Sequence, residues 1–136
     1  MPIDSDADLR TVLDADRIAV VGCSATPGKD AHDVPAFLQS QGYEIVPVNP
    51  TTDEVLGEPA FDSLADVPGH VDVVDVFRPS EEVPGIVDDA LAHGDVKTIW
   101  LQLGITDDDA VARAEAAGLT AVQDRCVRVE YERLRG

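Results

Sequence analysis

Short apolar runs alternate with longer amphipathic segments along the chain. Runs of strand length separated by stretches of helical periodicity are typical of βαβ units. The predicted strands, each rich in aliphatic residues, lie at 17–21, 44–48, 71–77, 98–103 and 119–123. Five such strands predict an α/β fold with a mostly parallel sheet and helices on both faces, because each right-handed crossover places its helix against the sheet.

Capping residues, prolines and glycines bound the predicted helices. The first is predicted from a cap at Asp4 or Ser5 to about Ala15, and the second has Pro35 in its first turn and ends near Gln41. Further helices are predicted at 81–93, 107–117 and 127–134, with a short strand at 55–57 and a helical turn at 63–66. A chain of 136 residues can build one core but not two ordinary domains, so residues 1–136 are expected to form one domain.

Charge and hydropathy exclude several classes of function. Asp and Glu number 27 against 10 Lys and Arg, a formal charge of −17 that opposes binding to nucleic acid or anionic lipid. The acids are mostly Asp, and the lysines are Lys29 and Lys97 alone, a balance that favours a halophilic protein. No apolar run reaches membrane-helix length and the N-terminus is acidic, so a cytoplasmic protein is expected. Cys23 and Cys126 have no disulfide or metal-site spacing.

The loops that follow the strands are the candidate ligand site, because open parallel sheets bind ligands beyond the carboxyl ends of their strands. The first loop, "GCSATPGKD", does not have the GxGxxG pattern of dinucleotide sites. It still combines Gly22, which permits close backbone approach, with the hydroxyls of Ser24 and Thr26 and the charge of Lys29. These features favour an anion, although Lys29 could also be an ordinary exposed turn residue.

Two later loops supply complementary chemistry. Asn49 and Pro50 follow the second strand, where the amide could hydrogen-bond a sugar or base. Phe77, Arg78 and Pro79 follow the third, where a guanidinium could stack on a purine or bind a phosphate. The alternative is that Phe77 belongs to the core and Arg78 pairs with a carboxylate.

Five motifs in this order resemble a known family: "VVGCSATPGK", "VPVNP", "VDVVDVFRP", "WLQLGI" and "QDRC". They are similar to the small stand-alone CoA-binding proteins, whose domain resembles the N-terminal CoA-binding domain of the succinyl-CoA synthetase α subunit. The resemblance runs from Arg17 to about Arg133 and implies a doubly wound, Rossmann-like fold that binds coenzyme A or an acyl-CoA. It implies that the first loop meets the pyrophosphate, that Lys29 contacts a phosphate, and that the later loops border the adenosine. The candidate cofactor-binding residues are Gly22, Cys23, Ser24, Ala25, Thr26, Lys29, Asn49, Pro50, Phe77, Arg78 and Pro79.

No catalytic or metal site is predicted. Cys23 is the one plausible nucleophile, but a buried structural thiol is the favoured interpretation. His32, His70 and His93 lie in no motif with a partnered acid, so they are expected to be ordinary surface or loop residues. The ligases that the domain resembles need further domains for their reaction, so binding without catalysis is expected.

Two other functions stay open. One is an NAD-type redox enzyme or sensor using the same crevice, which the missing GxGxxG and the presence of Asn49 in place of an acid oppose. The other is an interaction subunit that has lost its ligand. No protein partner is predicted.

Overall fold

A computed structural model describes residues 2–135, and strands and helices alternate along it as the sequence predicts. The strands are β1 Arg17–Val21, β2 Glu44–Val48, β3 Glu54–Val55, β4 Glu58–Pro59, β5 Val71–Val76, β6 Val96–Leu101 and β7 Thr120–Val122. The helices are α1 Asp6–Leu13, α2 Asp30–Ser40, α3 Val83–His93, α4 Asp108–Ala116 and α5 Val127–Arg135. Short 3₁₀ turns at Leu64–Asp66 and Ser80–Glu82 precede β5 and α3.

Five strands form one sheet in the order β2-β1-β5-β6-β7, while β3 and β4 pair as a separate antiparallel hairpin. Every neighbouring pair described in the large sheet is parallel. From β1 the chain moves to β2 on one side and then crosses to β5, β6 and β7 on the other. The strand order therefore reverses between β1 and β5, and the predicted doubly wound, Rossmann-like α/β fold is confirmed.

Helices cover both faces of the sheet. One face packs against α3 and α4 through Ile86, Val87 and Val111, and the other against α1, α2 and α5 through Leu9 and Leu38, among others. With both faces buried, strands read as continuous aliphatic runs, which is why the sequence reveals them. No helix among residues 2–135 is long and apolar enough to span a bilayer.

The start of α2 differs from the prediction. Pro35 does not lie in the first turn, because the helix begins at Asp30 and has the proline inside it. A proline there cannot donate to the carbonyl of Ala31, four residues earlier. The N–H of Ser24 donates to that carbonyl instead, at 2.9 Å. The helix thus tolerates its proline, and the loop before it is tied to its first turn.

Segment 55–57 is not one short strand, as predicted, but includes the turn between β3 and β4. Leu56 and Gly57 both have positive φ, 57° and 77°, and occupy the two turn positions between the paired strands. Two consecutive positive φ values suit a tight hairpin and interrupt strand geometry. The predicted helical turn at 63–66 is present as the first 3₁₀ turn.

The remaining differences concern element ends. Predicted strands 71–77 and 119–123 are shorter in the structure, and the predicted strand 98–103 is Val96–Leu101. Leu103 lies in a turn. The N–H of Gly104 in the same turn donates to Asp124 Oδ1 at 2.7 Å, which joins the turn to the segment after β7. The predicted helix 81–93 begins as a 3₁₀ turn, and Asp107 is the cap of α4 rather than its first residue.

Candidate functional site

Gly22 and Arg78 meet where the carboxyl ends of β1 and β5 lie side by side. The N–H of Phe77 donates to Val21 O at 2.9 Å, and that of Gly22 donates to Val48 O at 3.0 Å, so three strand ends are joined. Gly22 has a φ of +88°, and a Cβ there would lie 2.8 Å from Arg78 Cδ and 3.1 Å from Phe77 O. A side chain at this position would be strained by the backbone conformation and would have to displace Arg78, so glycine is strongly favoured.

Glu82 holds the guanidinium of Arg78. Arg78 Nε donates to Glu82 Oε1 at 3.2 Å and Nη2 donates to Oε2 at 2.7 Å. The hydrogen bond raises the pKa of Arg78 and lowers that of Glu82. The sequence-based alternative of a carboxylate partner for Arg78 is therefore what the structure has. Both side chains are about half exposed, so a ligand can reach the pair.

A cavity of about 410 Å³ opens beside Arg78 and is here called the β2-side cavity. Four predicted site residues line it: Gly22, Asn49, Pro50 and Arg78. Its other polar side chains are the hydroxyls of Thr51 and Ser63 and the carboxylates of Asp62, Glu82 and Asp89. Hydroxyls and carboxylates accept hydrogen bonds. The cavity therefore suits a ligand group that is rich in N–H and O–H donors.

Asn49 connects the loops after β1 and β2. Its Nδ2 donates to Cys23 O at 2.9 Å, and its Oδ1 accepts from Thr51 N at 2.8 Å and Thr51 Oγ1 at 2.7 Å. The backbone N–H of Asn49 donates to Phe61 O at 2.9 Å. The side chain thus holds the wall of the cavity in place and has little hydrogen-bonding capacity left for a sugar or base.

Residues 22–30, here called the first loop, contain their own hydrogen bonds. Ser24 Oγ accepts from Thr26 N at 3.0 Å, and the N–H of Ser24 is used by the bond to Ala31. Asp33 Oδ1 accepts from Gly28 N at 3.1 Å. The loop is therefore fixed before any ligand arrives, while the side chains of Ala25, Thr26 and Lys29 remain exposed.

Lys29 occupies the position before the first turn of α2. Next to it, His32 Nδ1 lies 3.0 Å from Asp33 Oδ1, so this histidine has an acidic partner that the sequence motifs do not show. The His32 contact and the Gly28 N–H lower the pKa of Asp33. Lys29 thus supplies positive charge at a helix start that also carries Asp30 and Asp33.

Phe77 does not face the β2-side cavity. It packs against the core face of α2 and α5 and lines a second cavity of about 640 Å³, here called the β6-side cavity. Val34, Gln102 and Cys126 also line this cavity, at the carboxyl ends of β5 and β6. Of the eleven predicted residues, four line the β2-side cavity and Phe77 lines the β6-side cavity. The remaining six line neither: Cys23, Ser24, Ala25, Thr26, Lys29 and Pro79. Pro79, also exposed, accepts at its carbonyl from Glu82 N and begins the 3₁₀ turn.

Cys23, the second residue of the first loop, is fully buried. Burial raises the pKa of its thiol to about 12. A thiol that stays protonated is a poor nucleophile. The structure therefore supports the interpretation of Cys23 as a structural residue.

Asp75 is a buried acid that the sequence analysis does not single out. It is the fifth of the six residues of β5, in register with Val20 and Trp100, and has no exposed surface. Neither of its carboxyl oxygens has a hydrogen-bond partner among residues 2–135. Burial raises its pKa well above the ordinary value of 3.8, which favours the neutral acid.

Glu82 and Asp33 are the other site residues that sequence reasoning misses. Glu82 lies four residues after Arg78, a spacing that brings side chains together only on a helical turn, and Pro79 obscures where the turn begins. Asp33 follows Gly28 by five residues and has no motif. The sequence signal for the Arg78–Glu82 pair is that both residues lie in the short segment "RPSEE".

Comparison with known proteins defines the class. A family model described as a CoA binding domain matches residues 16–132, so the chain belongs to this family. The resemblance drawn from the five motifs is thereby confirmed.

Individual relatives range from small proteins to large ligases. The chain is 40% identical to the uncharacterized protein YneT of Bacillus subtilis (strain 168), over 93% of this chain and 94% of that protein. It is 37% identical to the solved structure of a hypothetical protein from Pyrococcus horikoshii OT3, with a TM-score of 0.93 over 100% of this chain and 97% of that chain. It is 28% identical to an ADP-forming acetate–CoA ligase II of Archaeoglobus fulgidus, over 74% of this chain but 15% of the ligase.

Proposed function

We propose that the chain binds coenzyme A or an acyl-CoA across the carboxyl edge of its sheet and does not catalyse a reaction on it. One observation carries this proposal: at the strand-order reversal, Arg78 lies against Gly22, and two cavities open at this edge of the sheet, one lined by Arg78 and the other by Phe77. Such an arrangement suits a nucleotide with a long second arm, because open parallel sheets bind ligands at this edge.

The adenosine fits the β2-side cavity by chemistry. The adenine amine and the ribose hydroxyls are donors, and the carboxylates of Asp62 and Asp89 accept. The same carboxylates repel phosphate, so the phosphates lie toward the cations Arg78 and Lys29. Arg78 uses two of its five N–H groups on Glu82 and keeps three for a ligand.

The proposal of binding without catalysis rests on what the site residues can do. The thiol of Cys23 is buried and protonated, and Asp75 lies beneath the surface of the site, so neither presents an ionised group to a bound ligand. The acetate–CoA ligase relative shares 15% of its length with this chain, and its reaction is not transferred to the chain. The bound CoA would instead be carried or sensed.

Calorimetry of the purified protein with CoA, dephospho-CoA and NAD tests the proposal. We expect CoA to bind, and at about 100-fold saturation to stabilise the fold by roughly 2.7 kcal/mol. NAD is expected to bind at least tenfold more weakly, because it lacks the 3′-phosphate of CoA and because the first loop lacks the GxGxxG pattern of NAD sites. Binding of NAD without binding of CoA would overturn the proposal in favour of a dinucleotide enzyme or sensor. Thioester hydrolysis of acetyl-CoA by the protein would contradict the non-catalytic role.

A further inference from the structure

The β6-side cavity is chemically unlike the β2-side cavity. Val34, Phe77, Leu103, Ile105 and Val129 give it an apolar lining. Its charged groups, which include Asp30, Asp33 and Glu132, come from the exposed starts and turns of α2 and α5. The cavity therefore suits an uncharged, largely apolar group, with acids nearby.

Exposed apolar side chains concentrate at this cavity. Among residues 2–135 the exposed large hydrophobic side chains are Leu103, 71% exposed, and Val129, 55% exposed. Both line the β6-side cavity and also an adjoining cavity that includes Gln123 and Arg125. Exposed apolar surface that gathers at a cavity indicates a binding surface.

Building on the proposed function, we infer that the β6-side cavity holds the pantetheine arm and acyl group of the bound ligand and selects uncharged acyl chains. Two features identify this occupant. The cavity adjoins the candidate site, because two of its lining residues, Asp30 and Phe77, are next in sequence to Lys29 and Arg78. Neighbouring strands lie about 4.8 Å apart, so one extended ligand can cross the ends of β1, β5 and β6.

The acids near the cavity disfavour negatively charged acyl groups. Asp30 and Asp33 line the cavity at the start of α2, and both would repel an acyl group that ends in a carboxylate. The one cation in the lining, Arg128, lies 4.4 Å from the centre of the Phe37 ring and 3.5 Å from Glu132 Oε1. The lining therefore keeps a net negative charge, because Asp30, Asp33 and Glu132 outnumber this one cation. A butyryl group fits this environment better than a succinyl group of the same chain length.

Calorimetry with acetyl-, butyryl-, hexanoyl- and succinyl-CoA tests the inference. Each fully buried methylene raises affinity about fourfold, so partial burial should make hexanoyl-CoA bind at least tenfold tighter than acetyl-CoA. Succinyl-CoA should bind more weakly than butyryl-CoA. Leu103→Ser and Val129→Ser, at exposed positions, should each reduce the hexanoyl preference at least threefold. Ala112→Ser, at an exposed position of α4 outside both cavities, is the control and should leave it unchanged.

The outcomes separate this inference from the proposed function. Absence of binding by CoA itself would refute the proposed function. Binding of CoA with equal affinities along the acyl series would refute only the acyl site. Light scattering checks the competing occupant, a second copy of this chain. A dimer that Leu103→Ser dissociates, with acyl preference unchanged, would overturn the inference.

Cys126 offers an independent test, because it lines the β6-side cavity and is partly exposed. If the thiol end of CoA lies there, the Cys126 thiolate can attack CoA disulfide, forming a Cys126–CoA mixed disulfide and releasing one CoA thiolate. We expect a mass increase of one CoA that saturates with reagent and is absent in Cys126→Ser. Buried Cys23 is the internal control. Failure of CoA disulfide to label a Cys126 that iodoacetamide does alkylate would contradict the inference.

Discussion

Arg78 and Glu82 form a two-point ion pair at the mouth of the β2-side cavity, with N–O distances of 3.2 and 2.7 Å. The carboxylate partly neutralises the cation that we place on a phosphate. Glu82→Gln should therefore strengthen CoA binding about three- to fivefold in calorimetry, since the cation would face the ligand without a competing charge.

Asp88→Asn is the control for Glu82→Gln, because it removes the same charge from α3 at a residue that pairs with Arg113 outside both cavities. It should change CoA affinity by less than about twofold, as distant surface charges are screened. Weaker CoA binding by Glu82→Gln would mean that Glu82 positions Arg78 for the ligand rather than competing with it.

Gly22→Ala should damage both stability and binding. The φ of +88° costs a substituted residue about 1 kcal/mol, and the contacts with Phe77 O and Arg78 add to this cost. Gly118→Ala has a similar φ of +96° with no atom within 4 Å of the added Cβ, so it isolates the backbone term. Urea unfolding should show the larger loss for Gly22→Ala, and only that variant should lose more than tenfold in CoA affinity. Equal losses of stability with unchanged binding would contradict the close approach at Gly22.

Lys29 and Lys97 make a natural pair for a charge test, because both are exposed. Lys29→Ala should weaken CoA binding about ten- to hundredfold, as a charge-assisted contact is lost, with folding barely changed. Lys97→Ala, which removes a 3.4 Å contact with Asp72 at the opposite edge, should leave binding intact. A loss of affinity for CoA but not for dephospho-CoA would place Lys29 at the 3′-phosphate. An equal loss of affinity for both ligands would place it at the pyrophosphate. Unchanged affinity for both ligands would mean that Lys29 does not contact the ligand.

Asp75 should make stability depend on pH. Its pKa is raised in the fold, so the folded state holds a proton that the unfolded state releases above about pH 3.8. The wild type should therefore lose up to about 1.4 kcal/mol of stability per pH unit from this group as the pH rises from 3.8 toward the raised value. Asp75→Asn has no such proton. In urea unfolding, its free energy of unfolding should therefore rise relative to that of the wild type between pH 4 and 7. A constant difference would contradict a protonated Asp75.

Asp72 in the same strand is the matched control. Burial opposes its ionisation, but the N–H groups of Arg17 and Asp16, which donate to Oδ2 at 2.9 and 3.0 Å, lower its pKa overall. Ionised Asp72 contributes stability at pH values above its ordinary pKa of 3.8, and this contribution is lost as the pH falls. Asp72→Asn should therefore be least stable relative to the wild type at neutral pH, opposite in sign to Asp75→Asn.

Most of the fold can be predicted because its strands are buried on both faces. β1 and β2 have the predicted bounds. Gly22 ends the aliphatic run of β1, and the run of β2 lies between Gly42 and Pro50. β6 is predicted two residues late at each end. Exposed Lys97 interrupts its apolar run, and Leu103 extends that run into a turn. The start of α2 could not be predicted, because the bond that replaces the missing Pro35 N–H comes from Ser24, outside the helix.

The candidate site was predictable as a set of loops but not as two cavities. Phe77 and Arg78 are adjacent in sequence, and which side of the edge each occupies depends on packing against α2 and α3. The predicted ligand roles of the first-loop residues remain predictions. So does the halophilic character inferred from composition, which melting temperatures across a range of KCl concentrations would test.

The most direct test of CoA binding at this edge is a titration of ¹⁵N-labelled protein with CoA, followed by backbone amide NMR. The largest shifts should occur in residues 22–30, at Arg78 and at Thr51. Amides at the opposite edge, such as Gly42 and Asp95, should not move. Saturable shifts confined to the opposite edge, or none at CoA concentrations far above those of the protein, would contradict the account.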